Sequence, residues 1–124
     1  MTISAPTAKD NGTISTIEKR LAEVFPAKSF YLKNPEGTDA RSDQSVATFR
    51  EDWAKKQKIN PEIYKKRAAQ KSTLNINARY DIGTIKQNMA EALGIPPAAI
   101  VLMKNSTEKS KTNIKLSTFR GYWR

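Results

Sequence analysis

Apolar residues recur along this chain at helical spacing. Ile14, Ile17, Leu21, Val24 and Phe25 fall on one face of a 3.6-residue period, which predicts a helix over 14–25. Pro26 ends it. Ile82, Ile85, Met89 and Leu93 repeat the pattern, and Gly94 with Pro96 and Pro97 closes that second helix. Val46, Phe49 and Trp53 predict a helix over 45–58. Asn60-Pro61-Glu62 opens another that runs to about residue 72: Asn caps, Pro fits the first turn, and the acid suits the positive end of the dipole. Leu116, Phe119 and Trp123 share the spacing, but Gly121 and β-branched neighbours leave helix and strand both open there. Two short apolar runs, 29–33 and 99–104, are open between buried strand and short helix. Residues 72–80 alternate Leu74, Ile76 and Ala78 with Asn75, Asn77 and Arg79, the pattern of a half-buried strand. Segments 1–11, 34–44 and 105–113 have loop composition.

The same pattern contains an internal repeat. Thr13 to Glu23 reads TISTIEKRLAE and Asp81 to Glu91 reads DIGTIKQNMAE. Tyr31-Leu32-Lys33-Asn34 is echoed by Leu102-Met103-Lys104-Asn105, and Thr48-Phe49-Arg50-x-x-Trp53 by Thr118-Phe119-Arg120-x-x-Trp123. Both tryptophans fall at equivalent positions. The order of the matches points to two diverged tandem copies, about 12–53 and 80–123, joined by 54–79. The expected fold class is therefore α+β: one small domain spanning 1–124. Each copy is a helix, a short strand and an aromatic-anchored segment, and a basic helix links them.

Charge changes the picture from scaffold to partner. The chain of 124 residues has 22 Lys plus Arg against 12 Asp plus Glu, net +10. Residues 1–53 carry 7 basic and 8 acidic groups, and 72–100 carry 2 of each. The excess lies in 54–71, with 7 basic and 1 acidic, and in 101–124, with 6 basic and 1 acidic. Clustering of this kind suits an anionic polymer or surface. The first copy stays slightly acidic, with Glu51-Asp52 where the second has Gly121-Tyr122. This suggests divided labour: structure or protein contact for the first copy, the anion for the second.

Other chemistry is narrowed by absence. With no His and no Cys, the chain has no disulfide, thiolate nucleophile, imidazole base or Cys/His zinc site. Five glycines are too sparse for a phosphate-binding loop motif. Asp39, Asp43, Glu51 and Asp52 are the one acidic cluster with any claim on Mg²⁺, and loop carboxylates of this kind are commonly just solvated. No catalytic residue, metal or cofactor is expected. No apolar run reaches the ~20 residues of a membrane span, and the first residues lack a signal-peptide pattern. The expected location is cytoplasmic, with no membrane partner.

Around 82–105 two resemblances arise. Lys86, Ala90, Gly94 and Ile95 followed by Ile100 resemble a helix-turn-helix, with Ala90 at the helix contact and Gly94 in the turn. The DNA-facing positions would then be Pro96, Pro97, Ala98, Val101 and Leu102, which offer almost no donors to bases or phosphates. The order strand, helix, Gly-Ile-Pro-Pro, strand over about 30 residues resembles a ubiquitin-like β-grasp, which implies a β-α-β middle but no function.

The best binding constellation interleaves cations with aromatics. The candidates are Lys55, Lys56, Lys58, Lys65, Lys66, Arg67 and Lys71 in the linking segment, with Tyr64 able to stack. Lys109, Lys111, Lys115, Arg120, Tyr122, Trp123 and Arg124 close the second copy. Lys and Arg neutralise phosphates while Tyr and Trp stack on unpaired bases. The competing role for Phe119 and Trp123 is as core anchors. The function expected is a non-enzymatic basic protein that binds DNA or RNA. The alternative is an adaptor that docks on acidic proteins in a larger assembly, such as a phage-type inhibitor or structural protein.

Overall fold

The computed structural model describes residues 2–4, 12–70 and 73–123. In chain order these form β1 (Thr2–Ser4), α1 (Ile14–Ala22), β2 (Phe30–Leu32), α2 (Val46–Gln57), α3 (Glu62–Ala69), β3 (Thr73–Asn75), α4 (Ile82–Leu93), β4 (Ile100–Leu102) and α5 (Leu116–Gly121). Among the described residues, five α-helices accompany two separate two-stranded antiparallel sheets, β1–β3 and β2–β4. The result is a small mixed α/β domain with the sheets kept apart.

The helices form where the apolar period places them. Ile14, Ile17 and Leu21 of α1 are buried, as are Ile82, Ile85, Met89 and Leu93 of α4. α1 ends earlier than the period suggests. Val24 and Phe25 continue its buried stripe from the following turn, where the Phe25 N–H still donates to Leu21 O at 2.9 Å. The Ser45 hydroxyl caps α2 by accepting from Thr48 N. Asn60 accepts from Glu62 N at 3.0 Å at the start of α3. Leu116 and Phe119 are fully buried, and burial decides for helix in α5. Phe25 meets Phe119 edge to face with ring centres 5.8 Å apart.

The ribbon β2–β4 pairs Phe30 with Leu102, Tyr31 with Val101 and Leu32 with Ile100. Lys33 N donates to Ala99 O at one end and Met103 N to Ser29 O at the other. Phe30, Leu32, Ile100 and Leu102 are buried beneath it.

Several hydrogen bonds recur about seventy positions apart. Ile14 N donates to Gln44 O, and Ile82 N to Ile114 O. Ala40 N donates to Leu32 O, and Ser110 N to Leu102 O. The Trp53 indole N–H donates to Lys33 O at 3.0 Å, and that of Trp123 to Met103 O at 2.8 Å. Lys33 thus corresponds to Met103, one position away from the match with Lys104 that the sequence suggests. Two arginines reach across between halves. Arg50 donates to Gly94 O and Leu93 O at the end of α4, and Arg120 donates twice to Val24 O beyond α1.

Several expectations are corrected. Thr2–Ser4, read as loop, is a strand paired with Thr73–Asn75. After the Gly94 turn comes a single 3-10 turn, Pro97–Ala99, and then β4, so no second helix exists to make a helix-turn-helix. β3 and β4 lie in different sheets, which excludes the β-grasp arrangement. The strand expected over 72–80 and the basic helix expected to reach 72 are both shorter, at Thr73–Asn75 and Glu62–Ala69. The loop expected over 5–11 lies outside the described residues.

Candidate nucleic-acid interface

Lys55 and Lys56 occupy the exposed last turn of α2, where cations complement the helix dipole. Lys58 follows with φ +57, the left-handed residue that closes the helix. Lys65, Lys66 and Arg67 are exposed on α3. Lys65 stands 3.5 Å from Glu62, both well exposed, a pair that contributes little. Lys109 and Lys111 sit on the exposed loop after β4, and Lys115 directly precedes α5. Lys71 and Arg124 lie outside the described residues.

Three candidates have other employment. Tyr64 is 0% exposed and its hydroxyl donates to Gln57, so it presents no face to a base. Burial raises its phenol above the ordinary value. Arg120 is half-buried with both bonds on Val24 O, a structural clamp with little left to offer phosphate. Trp123 is half-buried with its N–H satisfied by Met103 O. Tyr122 is the aromatic that remains available: it is 41% exposed, with the Lys104 ammonium 5.6 Å from its ring centre.

The two tryptophans anchor the segments around them at different points of the ribbon. The end of α2 is seated through Trp53 on Lys33, and the end of α5 through Trp123 on Met103. Lys33 and Met103 mark opposite ends of the antiparallel ribbon. They are separated by about four residues of strand rise, roughly 13 Å.

One further feature is not singled out by the sequence. Lys33, Lys86 and Lys109 converge on an open hollow of about 240 Å³ beside β4, with Ser110 and Thr112 on its rim. Burial holds the Lys86 ammonium below its ordinary range, and the neighbouring Lys33 charge adds to this. Lys33 and Lys86 lie in the charge-balanced parts of the chain, so no local run announces them. Only the fold brings them together.

The acidic candidates do not assemble. Asp43 is held by Arg41 at 2.8 Å, which lowers its carboxyl pKa through that hydrogen bond and charge. Among the described residues no group of three or more acidic side chains is arranged to hold a metal. Among the same residues no helix is long and apolar enough to cross a membrane.

Comparison with protein-family models, curated proteins and solved structures gave no match.

Proposed function

We propose that this chain is a non-enzymatic binding protein that holds DNA or RNA through its phosphates. One observation carries the reading. Lys55, Lys56, Lys58, Lys66, Arg67, Lys109, Lys111 and Lys115 are all exposed, and among the described residues none has a carboxylate within ion-pair distance. Such charge costs self-repulsion unless an anionic partner neutralises it. With Tyr64 and Arg120 withdrawn, contacts are mainly electrostatic, and Tyr122 is the stacking residue. A sequence-tolerant mode follows, since positions 95–103 place no Asn, Gln or Arg for base edges.

We also infer that the scaffold is two diverged tandem copies. The paired hydrogen bonds, the equivalent indole contacts of Trp53 and Trp123, and the crossed arginines support it. On this reading the first copy kept acidic side chains where the second acquired lysines.

The test is a titration of labelled single-stranded DNA and RNA at 50 and 200 mM salt. About six neutralised phosphates give a log–log slope near −4 and a loss of roughly 10²–10³-fold between the two conditions. Absence of binding at 50 mM salt overturns the proposal. Capture of a polyglutamate peptide with equal or higher affinity reassigns the basic patches to an acidic protein partner.

A further inference from the structure

The hollow beside β4 has a counterpart in the other half with opposite chemistry. The bridge between Met103 and Lys109 matches that between Lys33 and Asp39. The bond from Gly83 N to Thr112 O matches that from Ser15 N to Ser42 O. These equivalences set Lys109 against Asp39, Thr112 against Ser42, and Lys86 against Glu18. In the first half the Ser42 hydroxyl donates to Glu18 at 2.9 Å, so that corner is closed by its own acid. In the second half Thr112 has Lys86 as its neighbour in the hollow, and Lys33 enters from the adjoining strand. Three lysines thus line one concavity, and among the described residues none has a carboxylate partner.

Like charges gathered in one hollow repel one another. Lys86 is part-buried and faces a like charge, and its lowered pKa is the mark of that cost. An anion relieves both burdens at once. The hollow, about 240 Å³, is below the ~300–1,000 Å³ of whole-ligand pockets, so a head group fits it better than a complete small molecule. Gly83 secures the geometry: a Cβ there would stand 2.9 Å from Thr112 Cβ, so only glycine lets the 109–112 loop lie this close to α4.

We infer that this hollow is a phosphoryl-group site, in which Lys33, Lys86 and Lys109 surround the phosphate oxygens and the Thr112 hydroxyl donates to one of them. The phosphoryl group belongs either to a strand's phosphodiester backbone or to a free phosphate. The first source rests on the nucleic-acid reading and the second does not.

Calorimetric titration of the full chain with inorganic phosphate, at constant 50 mM chloride, tests the site. Calorimetry is preferred to melting because phosphate stabilises most proteins nonspecifically. The unaltered chain and Lys19→Gln, a control for lost charge on exposed α1, are expected to bind phosphate alike. Lys86→Gln weakens binding about tenfold or more. Lys109→Gln, on an exposed loop where folding is not at stake, repeats the loss. Equal affinity in all four proteins, or no binding by the unaltered chain, overturns the site.

An eight-thymidine oligonucleotide without terminal phosphates separates the sources. Parallel loss of phosphate and oligonucleotide binding in Lys86→Gln places a strand phosphodiester in the hollow. Loss of phosphate binding alone assigns it to a free phosphate. Oligonucleotide binding without phosphate binding in the unaltered chain overturns the site and leaves the nucleic-acid proposal standing.

Discussion

Arg50 is 3% exposed and charged, an expensive combination that its geometry explains. It donates at 2.9 Å to Gly94 O and at 2.8 Å to Leu93 O, carbonyls that α4 leaves unpaired where it ends. Gly94 serves this contact twice. Its φ of +73 is a conformation side chains resist, and a Cβ would stand 2.6 Å from Arg50 Nη2 and 3.1 Å from Tyr64 O. Gly94→Ala is expected to cost about 1–3 kcal/mol of backbone strain together with the displaced arginine bonds, read by urea unfolding. A loss no greater than that of an ordinary exposed substitution would refute the close approach. Tyr64 makes a second residue-scale prediction. Its phenol titrates higher in the folded protein than the ordinary 10.0, because the buried ring resists ionisation. Above pH 10 the unfolded chain gives up this proton first, so stability falls as pH rises from 10 through the raised value. Tyr64→Phe should lose about 0.5–1.5 kcal/mol at neutral pH with its hydrogen bond to Gln57, and decline less steeply above pH 10 in chemical unfolding.

Elements with a full apolar stripe were legible from sequence. α1, α2 and α4 follow their periods, Gly94 closes α4, and α3 starts at Glu62, one residue later than the Asn60-Pro61 signal places it. What stayed open were pieces whose structure depends on distant partners. Phe30–Leu32 and Ile100–Leu102 are too short for any period to speak, and each becomes a strand because the other lies beside it. β1 has no strand signature of its own and exists through pairing with Thr73–Asn75. The candidate site divides on the same line. Runs such as 54–71 reveal surface cations, since charge without apolar period seeks water. No run reveals that Arg120 is a clamp, that Tyr64 is core, or that Lys33 and Lys86 meet Lys109.

At the scale of the whole molecule, a neutral frame supports localised positive charge. The apolar core runs from Ile14 to Phe119 through both halves, and the lysines of 54–70 and 104–115 are exposed around it. The crossed arginines have a further consequence. The carbonyl just past α1 is answered by Arg120, and those ending α4 by Arg50, so each half holds the chain at the end of a helix in the other. The ribbon and the β1–β3 pair likewise each take one strand from either side of α3. Contacts other than the peptide between α3 and β3 therefore also join the halves. Chain cut there is expected to travel as one particle in size-exclusion chromatography, and separately made fragments to regain helicity only on mixing. Fragments that fold alone and elute apart would show each half to be self-sufficient. A chain tied this way holds its early and late segments through strand pairing and arginine contacts as well as through the peptide between them.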